Sequence, residues 1–213
     1  MAKKKRRVNK KKIRIFVLVV LLIVILLALA IWQGNKLLNS NKEAKVIKVV
    51  DKIDEYGYNL NENETDYYKK IFKKLKKELS KDAPDEEEYA KLISQLFISD
   101  FYSLNNSTSK NDVGGIQFVY TDFQNDFVNL AKESVYSTVE SNIYGERKQK
   151  LPVVSEVVVN ELRQESFEYS DKSDDAAYVV DLTVNYKEDM GYQKDIILTL
   201  IHNENKLEIA KMK

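Results

Sequence analysis

Asp100 and His202 are the two side chains whose type and setting invite a chemical reading of this sequence. A carboxylate and an imidazole brought together make a general acid–base pair. His202 is the single histidine, and cysteine is absent. Disulfides, thiolate nucleophiles, thiolate or multi-histidine metal centres and a lipid-modified N-terminal cysteine are therefore excluded, and a histidine-dependent triad has one base available. Asp100 falls within an apolar stripe of helical spacing, made by Tyr89, Leu92, Ile93, Leu96, Phe97 and Phe101. A carboxylate there must be hydrogen-bonded, paired or protonated. It either caps amides of the following loop or stands at the mouth of a pocket. His202 lies at a strand end beside a turn at Asn203, which favours exposure. The Tyr, Ser and Thr residues sit in no motif that supplies a base. The expectation is a chain without catalytic activity and without a cofactor, the alternative being an enzyme that uses Asp100.

Other clusters have structural and functional readings side by side. Lys69, Lys70, Lys73, Lys74, Lys76, Lys77 and Lys81 fill one arc of a helix whose other arc is Tyr67, Tyr68, Ile71, Phe72, Leu75 and Leu79. The lysine arc is either a solvated face or a docking surface for an acidic partner, with Lys69, Lys73, Lys76 and Lys77 as its candidates. Asp85, Glu86, Glu87 and Glu88 fit the first turn of the next helix, where the macrodipole favours acids; four consecutive side chains cannot converge on one ion. Ser134, Thr138 and Asn142 interrupt a third stripe, Phe123, Phe127, Leu130, Ala131, Val135 and Val139. Small polar residues there either permit close packing or line a cavity. Gly114 and Gly115 are not a phosphate loop, because no Lys-Ser/Thr follows; they fit a sharp turn that tucks Ile116 to Tyr120 under the helices.

Charge is partitioned along the 213 residues. Of 34 basic residues, nine lie in the first fourteen positions with no acid among them. The remaining 25 face 33 acids, leaving that part at −8 although the whole chain is +1. From Ile15 to Trp32 every residue is apolar. At about 1.5 Å per residue this run spans most of a hydrocarbon core roughly 30 Å thick. Residues 15–32 read as a transmembrane helix, with Trp32 at an interface and the basic tail, residues 1–14, held in the cytoplasm. Anionic lipid headgroups are the expected contact of that tail, and nothing separate supports nucleic acid. A cleaved signal peptide is the rival, since Ala28-Leu29-Ala30 fits a cleavage pattern, but the apolar run continues past it. The folded part is then extracytoplasmic and the protein single-pass. Its Asn63-Glu64-Thr65 and Asn105-Asn106-Ser107 sequons would matter only in a eukaryotic secretory route.

The elements follow from period. Residues 33–60 read as a juxtamembrane stem, helical or extended, ending in a short strand, and residues 61–213 as one α+β domain. Helices are expected after Thr65, after Asp85, and from Asp122 to Tyr144 with Gly145 as its C-terminal stop. From Val153 the period becomes two: Val153–Tyr169 with a bend near Glu161 to Gln164, then Ala177–Lys187, Asp195–His202 and Leu207–Met212. Short polar connections make these a meander, and amphipathic helices must pack on the curved antiparallel sheet they form.

Helices followed by consecutive strands from Asp85 to Lys213 resemble the cone-shaped nuclear transport factor two-like (cystatin-like) superfamily, through element order and no specific motif. A basic tail, one anchor and an exported cone are similar to the bitopic scaffold subunit of type IV secretion systems and its Gram-positive conjugation counterparts. Phe97-Ile98-Ser99-Asp100-Phe101-Tyr102 followed by Asp112-Val113-Gly114-Gly115 resembles uncharacterised anchored proteins of low-GC Gram-positive bacteria. The resemblance implies an envelope scaffold with protein partners, and a homo-oligomer is compatible with it. A ligand-binding or sensing cone with an apolar pocket is the alternative. No catalytic residue is carried over.

Overall fold

Two units emerge from the computed structural model, Met1–Ala44 and Lys45–Lys213, in which residues 20–33 and 46–213 are described. In the first unit residues 20–33 form helix α1, with every side chain exposed. Residues 15–19 of the apolar run, and the basic tail, lie outside the described residues. Among the described residues no helix is long and apolar enough to cross a membrane.

The second unit opens with a hairpin, β1 (Val49–Ile53) and β2 (Tyr58–Asn61). The expected stem therefore contributes two strands where the sequence reading has one, and its residues 34–45 lie outside the described residues. The turn requires a left-handed residue, supplied by Gly57 at φ +68°. Ile53, Tyr58 and Leu60 are buried. The backbone of Asn59 is met by the Gln117 carboxamide, which accepts from its N–H at 2.9 Å and donates to its carbonyl at 3.1 Å.

Helix α2 (Asp66–Leu79) starts at Thr65, whose hydroxyl accepts from Tyr68 N–H at 3.1 Å. Its apolar arc is turned inward as the spacing predicts. Helix α3 (Glu86–Tyr102) starts at Asp85, which is the N-cap itself and leaves Glu86, Glu87 and Glu88 in the first turn. Buried Glu78 ties the connection, accepting from Asp85 N–H at 2.8 Å and from the Lys81 ammonium. From Leu92 to Tyr102 most of α3 is buried all round. It is the central rod of the core, so its apolar residues extend beyond one stripe.

The third helix is where expectation and structure part. A 3-10 turn, Thr121–Phe123, leads into α4, which covers Gln124–Glu133 and stops eleven residues short of Tyr144. Tyr136 explains the stop. Nine residues beyond Phe127, it would point about 180° away from it on a continuous helix. Yet Tyr136 is fully buried, donating to Phe101 O at 2.7 Å and accepting from Gly114 N–H at 3.0 Å. The chain leaves the helix at Ser134 to deliver that ring. Gly145 then sits in a turn with φ +74° and caps no helix.

Four strands complete the unit: β3 (Val154–Tyr169), β4 (Lys172–Tyr186), β5 (Asp195–Asn203) and β6 (Lys206–Met212), antiparallel in the order β3-β4-β5-β6. Tyr178, Val180, Leu182 and Val184 face the core with Ile196, Leu198 and Leu200. The α+β class, with helices packed on an antiparallel sheet, is thus as expected. The β3–β4 register slips between Val154/Glu156, Val159/Glu161 and Glu165/Phe167, so the bend begins at the foreseen place and is one of three. Both sheet edges are partly covered. Tyr67 both donates to Val157 O and accepts from Val157 N–H on β3, while Tyr120 N–H donates to Ile209 O on β6.

Candidate functional site

The last turn of α3 delivers Asp100 to a small acidic cleft. The turn before α2 adds Asn63 and Glu64, and the loop after α3 adds Asn106, Ser107, Asp112 and Gly114. Its volume is about 90 Å³, room for roughly three water molecules. Each carboxylate is held through one of its two oxygens. Gly115 N–H donates to Asp100 Oδ2 at 2.7 Å, and Thr108 donates from N–H and hydroxyl to Asp112 Oδ2 at 2.7 and 2.9 Å. Asn106 Nδ2 donates to Glu64 Oε2 at 3.3 Å. Asp100 therefore caps a loop amide, that of Gly115, and also lines a small cleft. The paired glycines are required by it: a Cβ on Gly114 would lie 2.5 Å from Asp100 O, and Gly115 has φ +80°.

Like charges in a partly dry cleft favour protons. Burial first, then the neighbouring Asp100, push the Glu64 carboxyl up to about 8. Burial raises Asp100 to about 6, opposed by the Gly115 N–H and assisted by Asp112. Among the described residues no three His, Asp or Glu side chains are placed to share a metal ion. The cleft favours protonated carboxyls, and the Gly115 N–H bond to Asp100 fastens the Asn105–Gly115 loop to α3. A raised carboxyl means the native state keeps a proton that the unfolded chain releases above its ordinary value of 4.5. Stability is expected to fall as pH rises from about 4.5 to about 8, by up to about 1.4 kcal/mol per pH unit for one proton. Thermal melts across that range should show the fall, and Glu64→Gln should flatten it; an unchanged slope in the variant would remove Glu64 as its source.

His202 is elsewhere. Its ring nitrogen Nδ1 lies 2.8 Å and its backbone N–H 2.7 Å from Asp174 Oδ2, while Nε2 lies 3.5 Å from Glu86 Oε1 at the start of α3. Glu86 and Asp100 are fourteen residues apart on α3, about 20 Å along its axis. The Asp100–His202 pair is not brought together. His202 is also less exposed than its strand-end position suggested, held at one end of the sheet.

Ser134, Thr138 and Asn142 are not brought together around Asp100. Ser134 and Thr138 are exposed, Ser134 donating back to Leu130 O at 2.6 Å, and Asn142 Oδ1 accepts from Arg147 N–H at 3.0 Å in a turn. Ser134 is the C-cap of α4, and Thr138 and Asn142 lie beyond its end. Of the lysine candidates, Lys69 donates to Glu62 O and Lys76 pairs with Asp51 at 2.5 Å. Lys73 and Lys77 are exposed, and so are Lys70 and Lys74. Residue spacing missed Glu64, Asp112, Asp174 and Tyr136 as partners, since loop and strand residues meet α3 only through tertiary packing.

Comparison with protein-family models, with curated proteins and with solved structures finds no match for this chain.

Proposed function

We propose that this chain is a membrane-anchored, extracytoplasmic interaction domain, acting as a scaffold in an envelope or transfer complex. One observation carries the preference for a surface role over a pocket role: side chains of helices, loops and sheet form one packed core. Phe101 packs on Phe97, Phe127 and Tyr136 with ring centroids 5.2 to 5.8 Å apart, and Phe118 packs on Tyr58 at 5.2 Å. A sensing cone needs an apolar chamber where these rings lie. A shallow groove of about 260 Å³ is bordered by Lys150, Lys187 and Glu188 as well as Leu151, Pro152 and Met190, a mixed surface. The helices-then-meander order supports a cone of the nuclear transport factor two-like kind, and the apolar run at 15–32 with its basic tail supports the anchor. Anchoring raises the domain's effective concentration for neighbours in the same membrane.

Crosslinking in intact membranes followed by mass spectrometry tests the proposal. Crosslinks from the exposed lysines of residues 46–213 to other envelope proteins are expected. A chain that crosslinks to no protein and carries a stoichiometric small molecule would replace the scaffold reading with the sensing one.

A further inference from the structure

We infer that the lysine face of α2 rests on an anionic lipid surface, the headgroups of the membrane that anchors the chain. The inference builds on the anchored reading above and names the partner of one face. Helix α2 carries six lysines against Asp66 and Glu78, and Glu78 is buried and engaged with Lys81. Lys70, Lys73, Lys74 and Lys77 are exposed and form no ion pair among the described residues. They stand on a domain that is otherwise acidic, since the chain beyond residue 14 sums to −8. Such a bipolar body orients in the field of a negative surface with its cationic face toward it.

The makeup of the face selects a lipid surface over a protein one. Protein interfaces are anchored by aromatic side chains and arginine, and lysine is depleted there. Here Tyr68, Ile71, Phe72, Leu75 and Leu79 are all turned into the core, and α2 has no arginine. What is left outward is a row of point charges on flexible stems, suited to a diffuse anionic layer. Position also agrees. The strand β1 is the first element of the second unit, and Asp51 on it pairs with Lys76 of α2. The lysine face therefore adjoins the place where the chain joins the fold. The twelve residues 34–45 between α1 and the described part of the second unit reach at most about 43 Å when fully extended.

The absence of cysteine allows a direct test on the full chain. Asp66→Cys places one thiol in line with Lys70, Lys73 and Lys77 at helical spacing. The labelled chain is reconstituted into vesicles of phosphatidylcholine alone or with phosphatidylglycerol, each containing a headgroup-borne quencher. Quenching about fivefold stronger in the anionic vesicles is expected, lost on raising salt to about 0.5 M. It should also be lost in the Lys70→Gln, Lys73→Gln, Lys74→Gln, Lys77→Gln variant, whose unfolding curve should match that of the parent chain. Equal quenching in both lipids, or none in either while the chain floats with the vesicles, overturns the lipid surface and leaves the anchor standing. A chain that does not float with either vesicle overturns the anchor itself. Quenching that appears only when a second protein is added overturns the lipid assignment in favour of a protein partner.

Discussion

Gly114→Ala is expected to lower stability by about 3 kcal/mol or more, the largest loss foreseen for a change of one methyl group in this chain. The new Cβ would lie 2.5 Å from the backbone oxygen of Asp100 and 2.6 Å from its Oδ1, inside any allowed contact. Relief requires the loop to retreat from α3. Retreat separates Gly115 N–H from Asp100 and Gly114 N–H from Tyr136, leaving buried polar groups without partners. Gly115→Ala should be nearly as damaging, because φ is +80° there and its Cβ would meet the Phe97 ring at 2.8 Å. Asp100→Asn is the informative companion. It keeps an acceptor for Gly115 and removes a charge from the acidic cleft, so chemical denaturation at pH 7 should find it within about 1 kcal/mol of the parent. A loss as large as that of Gly114→Ala would show that the negative charge itself holds the loop.

Phe101→Ala should cost about 3–5 kcal/mol, whereas Leu130→Ala should change stability by less than about 0.5 kcal/mol. Both residues belong to apolar stripes that helical spacing assigns to the core. Phe101 is 1 % exposed and touches the rings of Phe97, Tyr102, Phe127 and Tyr136, so its removal leaves a cavity in the centre of the unit. Leu130 is 67 % exposed on α4 and packs on little. Urea unfolding monitored by tyrosine signals gives both values. A costly Leu130→Ala would mean that α4 is covered by a partner of this chain under the conditions used, which a concentration series would reveal.

The two substitutions mark what spacing reveals and what it does not. α2 and α3 were legible because their apolar residues recur at three and four, their N-caps are Thr65 and Asp85, and each is one uninterrupted helix. The meander was legible because β4 and β5 alternate and their turns are polar and short. The third helix was misjudged because Phe123, Phe127, Leu130 and Ala131 continue in phase with Val135 and Val139, whereas the tertiary contacts of Tyr136 end α4 at Glu133. The stem's β1 strand escaped because Val46, Val49, Val50 and Ile53 fit a helical period as well as a half-exposed strand. Its partner β2 is what settles the choice. At the site, Asp100 was visible as a polar residue on an apolar helix. Glu64 and Asp112 were not, because a turn residue and a loop residue carry no periodicity and join Asp100 only through the fold. His202 could not be placed for a similar reason: Asp174, which fixes it, lies 28 residues away on the neighbouring strand.

Packing and charge converge on one account: a filled interior, a cationic helix on an acidic domain, and an apolar segment ahead of both. The central proposal is that residues 15–32 anchor the chain and that the folded unit is extracytoplasmic. A single cysteine at exposed Asp171, in the β3–β4 turn of a chain with no other thiol, tests this in intact cells with a membrane-impermeant maleimide. The account predicts labelling without permeabilisation and a labelled chain that stays with the membrane after a carbonate wash. Labelling that appears only after the cells are opened would place the folded unit inside and contradict it.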